Sequence, residues 1–167
     1  TDRYIGSNLS LARVRVSGVF IDPMLEIGDI REIDLPPEPT MEMPQYYHSR
    51  IDDFQNPINP PAPGSPGICV IDSGLATGHP VLGNAIGDAR AFPVSLGTEI
   101  DENGHGTLVS GLALYGDVNA CINTLNFVPQ VFLFSARVTN AQNRFDDESL
   151  ILTQMEQAVL YFHDTYG

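Results

Sequence analysis

Two stretches decide the fold of this chain: Gly67-Ile68-Cys69-Val70-Ile71-Asp72-Ser73-Gly74 and Asn103-Gly104-His105-Gly106-Thr107-Leu108-Val109-Ser110-Gly111. The first is a short continuous apolar run that stops at an acid and a turn signal, the pattern of a parallel strand covered on both faces. Asp72 then falls at the strand's carboxyl end, the edge of an open α/β sheet where ligands and reacting groups collect. The second stretch opens a helix. Gly104 and Gly106 leave the backbone accessible around His105, and Leu108, Val109 and Leu112 begin an apolar face just after it. A carboxylate on a strand tip and an imidazole at a helix start are two parts of a charge-oriented base. The acid accepts from one ring nitrogen and fixes the tautomer, and the other nitrogen is left to take a proton. A nucleophile is the part still wanting.

Val70-Ile71-Asp72-Ser73-Gly74 and His105-Gly106-Thr107-Leu108-Val109-Ser110-Gly111 resemble the aspartate and histidine motifs of the subtilisin-like serine proteases, the subtilases. Order and spacing are similar to that family's, in which the chain order is Asp, His, Ser. His79-Pro80-Val81-Leu82 and Asp101 are similar to the family's usual context. The resemblance covers roughly Gly67 to Tyr166. It implies a three-layer α/β fold with a mainly parallel sheet, incomplete in this chain and preceded by a short β or extended segment. It also implies a serine-type endopeptidase that hydrolyses a peptide or protein substrate through an Asp-His-Ser triad, with Asp72 and His105 as catalytic residues and no metal or cofactor.

The chain departs from the family pattern in two places. The family's usual histidine after His-Gly-Thr is Leu108 here, at a position that belongs to the helix and not to the proton-transfer pair. No Gly-Thr-Ser-x-Ala motif comes after His105, because Ser110, Ser135 and Ser149 fall in a helix, a strand and a helix start. The family's oxyanion-stabilising asparagine would also lie beyond Gly167. The expectation is the amino-terminal portion of a catalytic domain, inactive alone, whose partner is the carboxy-terminal part carrying the serine. A subtilase-like binding or scaffold module that has lost the serine would read the same way. A metal-dependent hydrolase with Asp72, His79, Asp101 and His105 as ligands has suitable ligand types, but no compact ligand spacing supports it. His79 reads better as a packing histidine in a turn, and Asp101 or Asn103 as the cap of the His105 helix.

With 167 residues, 43% hydrophobic and 17% charged, the chain can bury one modest core. That is short for a complete domain of this kind, and a sheet cut after its first strands leaves an edge and an apolar face uncovered. A net charge of −13 offers no basic footprint for phosphates and argues against nucleic acid as a partner. Cys69 reads as a small hydrophobe in the core strand, and a disulfide to Cys121 is compatible with the sequence. No apolar stretch suits a membrane span. No signal peptide is visible, which tilts the compartment toward the intracellular side, although a start at Thr1 removes most of the weight of that absence.

Three segments are expected. Residues 1–36 form a β-rich appendage: Leu11 to Ile21 alternates with period two, Asp22-Pro23 turns the chain, and Met24 to Leu35 returns as a second extended piece, together a hairpin. Residues 37–66 form a Pro-rich connector, since Pro36 to Pro66 holds nine of the 13 prolines, and its Tyr46, Tyr47 and Phe54 would dock it on the body. Residues 67–167 carry the catalytic portion. Within it a strand is expected around Ala91 to Val94, a helix from His105 to Tyr115, a polar loop from Asp117 to Asn126, and a core strand from Val131 to Val138. A last helix would open at Asp146-Asp147-Glu148 and bury Ile151, Met155, Ala158, Val159 and Phe162.

Overall fold

The computed structural model of the chain describes residues 2–35, 58–146 and 149–167. Most of the Pro-rich connector, with Tyr46, Tyr47 and Phe54, lies outside them, as do Asp147 and Glu148.

A three-stranded parallel sheet carries the body of the molecule. Its strands are β3 (Gly67–Asp72), β4 (Ile86–Ala91) and β5 (Phe132–Arg137), in the spatial order β3-β5-β4. The register sets Asp72 opposite Arg137 and Ala91 opposite Arg137, so all three strands finish on one line. Two helices take the two faces. Helix α2 (His105–Tyr115) covers Val70, Leu75, Leu82 and Leu133 through Leu114, Val109 and Ala113. Helix α4 (Ile151–Tyr166) covers Phe92, Ala136 and Val138 through Ala158 and Phe162. Successive residues of a strand point to opposite faces, which is why Leu133 serves one core and Phe134 the other. This is an α/β, subtilisin-like arrangement with an incomplete sheet.

β5 lies in the middle, where both edges are hydrogen-bonded and both faces are packed. β3 was expected to be covered on both faces, but it is an edge strand among the described residues, with Ile68 and Cys69 exposed and Val70 buried. Its apolar residues are more than these helices cover. Cys69 is therefore no core residue, and neither cysteine is in a disulfide.

Other expectations are corrected by local chemistry. β4 ends at Ala91, and Pro93 leads into a 3₁₀ turn at Val94–Leu96. The expected polar loop after Gly116 is a short helix, α3 (Val118–Thr124), capped by Asp117, whose Oδ1 accepts from the Ala120 amide at 2.9 Å. α4 starts at Ile151 and buries Gln154 with Ala158 and Phe162, while Val159 is half exposed. On α2 the buried line is Gly106, Ser110 and Leu114, not one through Leu112, because the helix is apolar nearly all round and close approach to the sheet selects its small residues. The amino-terminal hairpin exists one strand earlier than the alternation suggests. It pairs β1 (Asp2–Ile5) antiparallel with β2 (Ser10–Arg13), and Pro23 sits in the first turn of the short helix α1 (Ile21–Leu25), where its missing amide costs nothing.

Candidate active site

Asp72 is the last residue of β3 and His105 the first of α2, and their meeting depends on two glycines. Gly74, at φ +114°, turns the chain out of the sheet in a conformation that side chains disfavour. Gly106 then packs against it so closely that a Cβ there would lie 2.2 Å from the Gly74 carbonyl oxygen. Helix and strand tip touch backbone to backbone. At that separation His105 Nδ1 lies 2.7 Å from Asp72 Oδ1, which also accepts from the Ser73 amide at 2.7 Å. A carboxylate only accepts, so the Nδ1 proton is donated to Asp72 and the Nε2 lone pair is left available. The pair is part-buried, with 31% of the imidazole and 18% of the carboxylate exposed.

A second carboxylate, Asp101, builds the frame. Its Oδ1 accepts from the Ser73 hydroxyl (2.9 Å) and the amides of Asn103 (3.2 Å) and Gly104 (2.8 Å). Its Oδ2 accepts from the Thr107 amide (2.8 Å) and hydroxyl (2.7 Å). Asp101 thus caps α2 from before the helix, with Asn103 Oδ1 receiving the His105 amide at 3.4 Å. Burial works against this carboxylate, yet the hydrogen bonds from Thr107, Gly104 and Ser73 outweigh it, and its pKa lies below the ordinary value. The buried Ser73 hydroxyl accepts in turn from the Gly106 amide at 2.8 Å. One polar chain therefore runs from Asp101 through Ser73 to the start of α2.

Arg137 closes the frame from the sheet. Its buried guanidinium donates to the carbonyls of Thr139 (2.9 Å), Thr98 (3.2 Å) and Ile100 (2.8 Å), and to Glu102 Oε2 at 2.5 Å. The 98–102 segment that delivers Asp101 is stapled to the end of β5. Beside the Asp72–His105 pair is a cavity of about 100 Å³, lined also by Val138 and Thr139 after β5, Asn143 and Phe145 of the next turn, and Met155 of α4.

Of the sequence candidates, the structure brings Asp72 and His105 into direct contact. Asp101 stands behind them with both oxygens engaged. His79 is turned to its own loop, where its Nδ1 accepts from the Val81 amide at 3.4 Å, and burial lowers its pKa. Among the described residues no group of three or more His, Cys, Asp or Glu converges as a metal site. The Ser73 hydroxyl, expected to bond nearby backbone or the carboxylate of Asp72, bonds the Gly106 amide and Asp101, whereas Arg137 went unread as part of the frame. Arg137 did carry a signal, being a lone cation at the end of a largely apolar strand.

Residues 65–160, more than half of the chain, match the subtilase family, and the matched span holds both Asp72 and His105. The chain belongs to the subtilase family. Its matched span is consistent with an amino-terminal portion of the subtilase catalytic domain. The chain is also 32% identical over 85 residues to the uncharacterized protein y4kK of Sinorhizobium fredii, an alignment covering 51% of this chain and 27% of that protein. Membership supports a protease-like, hydrolytic function in general. No helix among the described residues is long and apolar enough to cross a membrane.

Proposed function

We propose that the chain supplies the orienting acid and the general base of a subtilase serine endopeptidase, Asp72 and His105, and that the nucleophilic serine comes from sequence outside these 167 residues. The observation that carries this reading is the 2.7 Å bond between Asp72 Oδ1 and His105 Nδ1, made at the carboxyl ends of parallel strands beside an open cavity. His105 Nε2 removes the serine proton as its oxygen attacks a peptide carbonyl, and returns that proton to the leaving amine. Asp72 holds the ring in the productive tautomer and stabilises the imidazolium that forms. The partners are a peptide or protein substrate and the remainder of the catalytic domain.

Labelling of the full-length protein by a serine-directed fluorophosphonate tests the reading. Labelling and peptide hydrolysis are expected together, both lost in His105→Ala, and Asp72→Asn should lower turnover by about 10⁴-fold, by analogy with measured triads. A full-length protein that neither labels nor cleaves would be a subtilase-like scaffold instead. The 167 residues alone should not hydrolyse peptides. A rate from them that His105→Ala abolishes would overturn the assignment of the serine to other sequence.

A further inference from the structure

Among the described residues, three hydrogen bonds that span most of the chain tie the hairpin of β1 and β2 to the segment beside the cavity. Arg13 Nη1 donates to the carbonyl oxygens of Asp146 (3.0 Å) and Ser149 (2.9 Å). Asp2 Oδ2 accepts from the Leu150 amide at 2.7 Å. Asp2 and Arg13 face each other across the hairpin, so the three bonds issue from one rung of one small sheet. The segment they grip lies between Phe145, which lines the cavity beside Asp72 and His105, and Met155, which also lines it. Leu150 is the residue from which α4 starts, and it makes no side-chain cap of its own. Asp2 supplies a carboxylate there, where a helix start favours one.

We propose that this Asp2–Arg13 rung is a positioning element for the substrate-binding wall of the peptidase cleft, an inference that rests on the peptidase reading above. A guanidinium bonded to the carbonyls of Asp146 and Ser149 fixes how far apart those two residues sit. An amide fixed on Asp2 sets where α4, and with it Met155, begins. Arg13 touches neither Asp72 nor His105. Its removal lets the wall move while leaving the proton-transfer pair as it was. The cost falls on substrate binding, in ground and transition state alike, and not on turnover.

The test compares wild type, Arg13→Ala and Arg13→Lys of the full-length protein on the best fluorogenic peptide selected from a random library with wild type. Amide hydrogen exchange over residues 145–150 is followed in the same samples. Arg13→Ala should raise KM about tenfold with kcat held within about twofold, and should speed exchange over that segment. Arg13→Lys, which keeps a donor, should recover part of both. Wild-type cleavage with KM and exchange unchanged in Arg13→Ala overturns the proposal alone. A wild type that cleaves no peptide overturns the peptidase reading and this proposal with it. If Arg13→Ala does not fold, Asp2→Ala, which removes one bond of the three, gives the same comparison, and an unchanged KM there is equally fatal.

Discussion

Replacing Asp101 by Asn probes the frame more sharply than any change to the Asp72–His105 pair. Five donors converge on this carboxylate and all are committed, since the Ser73 hydroxyl already accepts from the Gly106 amide and the Thr107 hydroxyl from the Ala76 amide at 3.0 Å. An amide in either orientation must therefore aim its own NH₂ at donors. Two or three bonds to a charged acceptor, each worth about 1.5–3 kcal/mol, are lost, and the stranded donors add about 1–3 kcal/mol. Removing the carboxylate also removes its desolvation, and the site is part-exposed, so the net loss should be about 2–4 kcal/mol. Against a total of about 5–15 kcal/mol that leaves a folded but weakened protein. Urea denaturation of the full-length protein measures it, and pH supplies the internal control. Because the folded pKa of Asp101 is depressed, its stabilisation is fully present above the unfolded carboxylate value of about 4 and disappears as pH falls through the lower folded value. The difference between wild type and Asn variant should thus be constant from pH 7 to about 5 and shrink below about pH 4. A difference under about 0.5 kcal/mol at neutral pH, or one that persists unchanged into acid, would refute this account of the cap.

Gly106→Ala forces a Cβ to within 2.2 Å of the Gly74 oxygen, whereas Gly111→Ala on the same helix meets nothing within 4 Å. The first should destabilise by about 1–3 kcal/mol and, by parting His105 from Asp72, lower peptidase turnover about 10²-fold. The second should be neutral or stabilising by up to about 1 kcal/mol, and thermal melts with kcat for both variants check the contrast. Arg137→Met orphans three carbonyls and should cost about 3 kcal/mol in urea titrations, but Glu102→Gln should cost under about 1 kcal/mol, because Glu102 is 48% exposed and water replaces its partner. Equal losses for the two would mean that the ion pair, not the carbonyl ligation, holds the segment.

How legible an element is in the sequence depends on where its residues draw their stabilisation. β5 is legible because a strand packed on both faces must be apolar throughout, and Phe132 to Ala136 nearly is. β3 has the same signature, yet it sits at an edge, because an apolar run reports what a strand is suited to touch and not what is present to touch it. The apolar stripe of α4 misses Gln154, a buried polar residue whose Nε2 donates to the Ser149 hydroxyl at 2.9 Å while its Oε1 has no partner among the described residues, an arrangement that no apolar periodicity encodes. The hairpin is displaced from its expected place for a related reason. Arg13 falls on the polar side of the expected alternation, but it and Asp2 spend their polar groups on a segment more than a hundred positions away.

The same distinction runs through the candidate site. Asp72 and His105 announce themselves because proton transfer restricts residue type so severely that two short motifs are enough to suggest the pair. The frame that sets their separation leaves weaker traces, since a serine, a threonine and an arginine have many ordinary uses. Ser73 and Thr107 nonetheless lie inside the two motifs, and each accepts a bond across the gap, Ser73 from the Gly106 amide and Thr107 from the Ala76 amide just past the strand tip. The glycines admit the closest approach of the two backbones, and the hydroxyls and Asp101 then close the remaining distance with hydrogen bonds. These contacts all lie within the chain and hold the nitrogen and oxygen 2.7 Å apart. The acid–base geometry should therefore form whether or not a serine is present, so mutating the nucleophile in the full-length protein should abolish fluorophosphonate labelling while leaving the His105 Nδ1 proton hydrogen-bonded and visible far downfield by NMR.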